Sequence, residues 1–95
     1  MKKLTEHSIE ERLLKLDGWE YKKAALEASF TFENFTETFS VMTRIAFECE
    51  AQGHHPNWSN VYNTLNIRLN THDVGGVTEK DFELAHAIEK VTKSK

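Results

Sequence analysis

One cysteine, one proline and four glycines in 95 residues exclude several architectures at once. A lone Cys49 has no intrachain disulfide partner and supplies no thiolate zinc cluster. No apolar run approaches the roughly 18 residues that a membrane-spanning helix requires. The charged start, Met1-Lys2-Lys3-Leu4-Thr5-Glu6, has no apolar stretch behind it and does not read as a signal peptide. The expectation is a cytoplasmic protein without membrane contact. Basic residues are also few, 12 against 15 acidic for a net charge of −3. None of them cluster densely enough to track a phosphate backbone, so direct nucleic-acid binding is not expected. A chain this short buries roughly 65% of its unfolded surface, enough for one modest core. Residues 1–95 are therefore predicted to form a single domain, too small for a large cofactor-binding fold.

What is present reads as an ordinary globular chain, 39% apolar and 28% charged. Thr5 can cap a first helix over about residues 5–16, with Ile9, Leu13 and Leu16 on one face and Gly18 past its end. Trp19 to Lys22 is a short strand and Lys23-Ala24 a turn. Leu26, Ala28, Phe30 and Phe32 then alternate with polar residues, the period of a half-buried antiparallel strand. Asn34, with Glu37 three residues on, opens a second helix that Gly53 ends. Phe35, Phe39, Met42, Ala46 and Cys49 form an apolar seam along it, read as core or subunit interface, with Cys49 a small buried hydrophobe. Val61, Leu65, Ile67 and Leu69 predict two more strands. Thr78-Glu79-Lys80-Asp81 is a capping-box pattern before a last helix carrying Leu84, Ala85, Ile88 and Val91 inside. The order α-β-β-α-β-β-α, with two hairpins and no room for parallel crossovers, predicts a small α+β fold. Its sheet would be four-stranded and antiparallel, with the helices packed on one face.

Three of the five histidines gather where the backbone is irregular. His54 and His55 stand between Gly53 and Pro56, and His72 follows the longest strand in Asn70-Thr71-His72-Asp73, just before Gly75-Gly76. Loops held by rigid elements are where chemistry concentrates, and imidazole is the side chain that exchanges protons near neutral pH. Two or three histidines in one pocket would make an acid/base site. A metal site is not expected, because His-His with a third histidine seventeen positions on matches no zinc-ligand spacing. His7 and His86 fall on helix surfaces and read as solvated. Gly75-Gly76 reads as a loop, not a phosphate cradle, since no glycine-rich nucleotide motif surrounds it.

The segment Glu50-Ala51-Gln52-Gly53-His54-His55-Pro56-Asn57-Trp58-Ser59-Asn60-Val61-Tyr62-Asn63, followed by Asn70-Thr71-His72-Asp73, closely resembles the pterin-4a-carbinolamine dehydratases. The resemblance runs from Phe35–Phe39 and Met42-Thr43-Arg44 through Asp81 and the final helix. It implies an α+β fold with helices on one side of an antiparallel sheet. It also implies dehydration of 4a-hydroxytetrahydrobiopterin to quinonoid dihydropterin and water, in support of tetrahydrobiopterin recycling, with no metal or other cofactor. Carried onto this chain, the resemblance places catalysis on His54, His55 and His72, with Glu50 and Asp81 as supporting acids. Substrate contacts would come from Thr71, His72, Asp73 and the two paired histidines, with Pro56 and Trp58 shaping the pocket wall. Many members have an acidic residue just before the paired histidines; here it is Gly53, so any such help would come from Glu50 or Asp73. The resemblance further implies a homodimer or homotetramer. A different role would be a non-catalytic dimerization or regulatory module for a transcription factor or an aromatic amino-acid hydroxylase.

Overall fold

Thr5, Asn34 and Thr78, the three cap candidates, stand at the starts of α1 (Glu6–Leu13), α2 (Phe35–Gln52) and α3 (Glu79–Lys93) in a computed structural model that describes residues 1–93. Residues 94 and 95 of the predicted domain lie outside the described residues. Thr5 Oγ1 accepts the Ser8 N–H at 3.1 Å, and Asn34 Oδ1 accepts the Glu37 N–H at 2.8 Å. Each cap satisfies a backbone donor that the first turn leaves without a carbonyl. Between the helices lie β1 (Glu20–Lys22), β2 (Ala25–Thr31), β3 (Asn57–Val61) and β4 (Thr64–Leu69), and a single 3-10 turn spans His72–Val74.

The element order is the α-β-β-α-β-β-α expected from the sequence. The four strands form one antiparallel sheet in the order β1-β2-β4-β3, so the two long strands sit in the middle. Both hairpins turn in two residues, Lys23-Ala24 and Tyr62-Asn63. Lys23 and Ala24 both take positive φ, the backbone twist that tight hairpins require, here without glycine. The side chains of β2 and β4 divide by the period of two. Leu26, Leu65, Ile67 and Leu69 enter the core, while Ser29 and Asn66 stay on the open face. Ile9 of α1, Val41, Ile45 and Cys49 of α2, and Leu84, Ala85, Ile88 and Val91 of α3 close the core against the opposite face, the one that carries those leucines and Ile67.

Two helix readings change. The helix predicted over residues 5–16 stops at Leu13, because Leu14, Lys15 and Leu16 each bond the carbonyl three residues back and tighten the chain out of the α-helix. Leu16 still reaches the core, but Leu14 is left exposed. The seam of α2 is rotated: Thr38, Val41, Ile45 and Cys49 face inward, whereas Phe35 and Phe39 are 46% and 55% exposed and Ala46 is exposed. The helix carries apolar residues around more than half its girth, so periodicity selects two overlapping stripes. The inner one includes a threonine whose hydroxyl is silenced by donating to the Asn34 carbonyl at 2.8 Å. Of the core-or-interface reading, the core half is thus excluded for Phe35 and Phe39, and no element among the described residues covers their outward face.

Candidate active site

His54 is placed by the way α2 ends. Gly53 adopts φ +65°, a left-handed conformation in which a Cβ is strained, and the His54 N–H returns to the Cys49 carbonyl at 3.1 Å. This reversal turns the chain back across the start of α3. His54 Nε2 meets Asp81 Oδ1 at 2.6 Å, with the His54 side chain 11% exposed and the Asp81 side chain fully buried. Asp81 Oδ2 accepts the Thr78 N–H and the Thr71 hydroxyl, both at 2.9 Å. The capping box read at Thr78–Asp81 is therefore present in its backward half, and the carboxylate that caps α3 with one oxygen holds His54 with the other.

The adjacent His55 points elsewhere, as neighbouring residues must. Its Nε2 pairs with Glu50 Oε2 at 2.8 Å, but the two side chains are 62% and 78% exposed. A pair in that setting is screened by water and contributes about 0–1 kcal/mol. His72 is held by the loop after β4. The Thr71 N–H donates to the Gly76 carbonyl at 2.8 Å, closing the loop on itself with the 3-10 turn at its tip. Gly76 sits close under the N-terminal segment: a Cβ there would lie 2.4 Å from Cδ of the exposed Lys3 side chain, which would have to swing aside, and the Leu4 N–H donates to the Val77 carbonyl at 2.8 Å alongside. The N-terminal segment thereby lies against the loop, with Met1 at the rim of the cavity that the loop helps to form.

That cavity has a volume of about 390 Å³ and is lined by His54, His55 and His72 together, with Thr71, Asp73 and Lys80 among its other walls. The three histidines singled out in the sequence share one cavity, each arriving from a different local geometry. Asp81 stands behind the wall, and Glu50 lies outside it, bonded to His55. Pro56 and Trp58 are not among the lining residues. Trp58 is half-buried on β3, packs against the core and borders a larger groove of about 510 Å³ that also includes residues of the open sheet face. That groove contains no histidine, and its Glu27–Arg68 pair is closed on itself at 3.2 Å, so it offers no proton-transfer pair. Lys80, on the first turn of α3, and Thr78, beneath it, carried no site signal in the sequence beyond the capping pattern that contains them.

His7 and His86 are exposed, as read from the sequence. Burial pushes the Cys49 thiol up, reinforced by the neighbouring Glu50 and Glu48 charges and opposed by a backbone hydrogen bond. It stays a protonated, inert core residue. Among the described residues, no three His, Cys, Asp or Glu side chains converge so as to hold a metal ion. No helix among them is long and apolar enough to cross a membrane.

Comparison with known proteins converges on one family. A family model described as pterin 4 alpha carbinolamine dehydratase matches residues 2–91. A protein of Christiangramia forsetii, bearing the provisional name pterin-4-alpha-carbinolamine dehydratase, is 62% identical over 94 residues, 99% of this chain and 97% of its own. A protein of the same provisional name from Opitutus terrae is 49% identical, covering 94% and 93% of the two chains. A crystal structure described as a transcriptional coactivator/pterin dehydratase from Brucella melitensis superposes with a TM-score of 0.91 at 37% identity, covering 95% of this chain and 98% of that one.

Proposed function

Because the chain belongs to the pterin-4a-carbinolamine dehydratase family, we propose that it dehydrates a pterin 4a-carbinolamine such as 4a-hydroxytetrahydrobiopterin to the quinonoid dihydropterin, using histidines as acid and base. The observation that carries this reading is the cavity shared by a buried, carboxylate-backed His54 and an exposed His72. The reaction asks for little else. A proton passes to the 4a-hydroxyl as the C4a–O bond breaks and water leaves. The N5 lone pair forms the C4a=N5 bond, and a base removes the N5 proton. His54 and His72 come from the end of a helix and the loop after a strand, so they can address a flat ring from different directions. His55, tied to Glu50 in solvent, orients the substrate, and Asp73 contacts it from the same loop as His72. No step calls for a metal or a redox cofactor.

The expected result is that the protein accelerates quinonoid formation from enzymatically generated 4a-hydroxytetrahydropterin with no added metal, and that exhaustive chelation leaves the rate unchanged. Activity lost on chelation and restored by a divalent cation would overturn the metal-free mechanism. No acceleration at all would overturn the dehydratase reading.

We further propose that the chain self-associates through the outward face of α2, as a dimer or a dimer of dimers. Phe35 and Phe39 pack ring to ring at 5.6 Å yet remain about half exposed, and Phe47 on the same helix is 72% exposed. Exposed aromatics concentrated on one helix mark an interaction surface. Light scattering at micromolar concentration should give a mass of two or four chains, and Phe39→Glu should lower it; a stable wild-type monomer would sink the proposal. A regulatory partner, a transcription factor or an aromatic amino-acid hydroxylase, would compete for this same face; the Brucella protein is itself described as a coactivator as well as a dehydratase.

A further inference from the structure

Behind His54 lies a file of polar atoms that the core encloses: Asp81 and Thr78 are fully buried, and Thr71 is 8% exposed. Buried polar groups must balance their donors and acceptors. Thr71 Oγ1 donates to Asp81 Oδ2 at 2.9 Å, and a hydroxyl has only one proton to give. The 2.7 Å contact between Thr71 Oγ1 and Thr78 Oγ1 is therefore donated by Thr78. Thr78 Oγ1 in turn accepts the Lys80 N–H at 3.2 Å. Every donor points one way, from the first turn of α3 through two hydroxyls to the carboxylate. Asp81 Oδ1 is left facing His54 Nε2 at 2.6 Å. A carboxylate only accepts, so that ring nitrogen carries a proton.

We propose that Thr71 and Thr78 are positioning residues whose one-way hydrogen-bond chain fixes the Asp81 carboxylate and thereby holds neutral His54 in the Nε2–H tautomer. Nδ1, which has no protein partner among the described residues, then presents its lone pair to the substrate. His54 is the base that takes the N5 proton. His72, with no carboxylate partner among the described residues, is the acid that protonates the leaving hydroxyl. The Thr71 hydroxyl is committed inward, so Thr71 meets the substrate through its backbone. The assignment of base and acid rests on the dehydratase reading; the tautomer does not.

Long-range proton–nitrogen correlation spectra of the full chain, recorded at a pH where the ring is neutral, read the tautomer without any substrate. Wild-type His54 should show a protonated Nε2 and a bare Nδ1. Thr71→Val and Thr78→Val should shift population to the Nδ1–H form or broaden the signals by exchange. Both should lower kcat about tenfold, the size of one hydrogen bond's worth of alignment, with KM within about twofold. Thr78→Ser, which keeps the hydroxyl, should restore both readouts. If Thr78→Val does not fold, Thr71→Val carries the same test. Wild-type tautomer and wild-type kcat in the valine variants would overturn the proposal. A wild-type protein inactive on the carbinolamine, yet with the tautomer moved as expected, would overturn the dehydratase reading and leave the positioning role standing.

Discussion

The double variant His54→Ala/His72→Ala is expected to dehydrate the carbinolamine no faster than buffer does. Each positioned proton-transfer group contributes about 10²–10⁴-fold to the step it serves. The substrate loses water unaided to some extent because N5 already pushes electrons toward C4a, so a residual base or acid still finds a reactive partner. Single losses at His54 or His72 are therefore expected at or below the lower end of that range, in kcat, while the pair removes both ends of the proton path. His55→Ala should behave differently. Its imidazole is 62% exposed and bonded to a still more exposed Glu50, so its loss removes uniform binding and appears mainly in KM. Steady-state kinetics of the four variants decide the matter. A His55→Ala protein that loses kcat as severely as the double variant, with KM unchanged, would show that the roles are distributed wrongly.

Much of this geometry was legible in the residues, and the part that was not has physical reasons. Cap chemistry is local, so Thr5, Asn34 and the Thr78–Asp81 spacing located three helix starts. Alternation along Leu26–Phe32 and Leu65–Leu69 is enforced by burial of one face, so it located the long strands. Strand order is not local. Hairpins make β1 a neighbour of β2 and β3 of β4, but the pairing of β2 with β4 is settled only when α2 crosses over and the two longest strands meet. The phenylalanine stripe of α2 left core and interface both open because hydrophobicity alone does not tell the two apart, and a buried threonine with an internal hydrogen bond imitates a surface residue in the sequence. At the site, the His-His-Pro pattern and its distant Thr-His pointed to the three histidines that share the cavity. Asp81 could be read separately as a helix cap and as a supporting acid. That one carboxylate does both, with an oxygen for each task, depends on Gly53 turning His54 back across α3, which no spacing rule encodes.

That double duty makes Asp81 the position where fold and reaction are expected to fail together, and where two substitutions can separate them. Asp81→Ala strands the His54 Nε2–H, the Thr71 hydroxyl and the Thr78 N–H in a site where water has little access. Each buried donor without an acceptor costs about 1–3 kcal/mol. A loss of at least about 3 kcal/mol follows, and at roughly 4–8 °C per kcal/mol for a domain of this size the melting temperature should fall by more than about 12 °C. Asp81→Asn has nearly the same shape and retains one carbonyl oxygen. If that oxygen serves Thr71 and Thr78, the amide NH₂ is left facing His54 Nε2, which must then accept, and the ring proton moves to Nδ1. The asparagine variant is thus expected to melt within a few degrees of wild type, each degree reflecting only a fraction of a kcal/mol. Its kcat should nevertheless fall by about 10²-fold or more, because the nitrogen that faces the substrate has become a donor. Thermal denaturation and steady-state kinetics on the two variants resolve the contributions. An asparagine variant with wild-type kcat would mean that the tautomer of His54 does not matter to the reaction, and that Asp81 serves the fold alone.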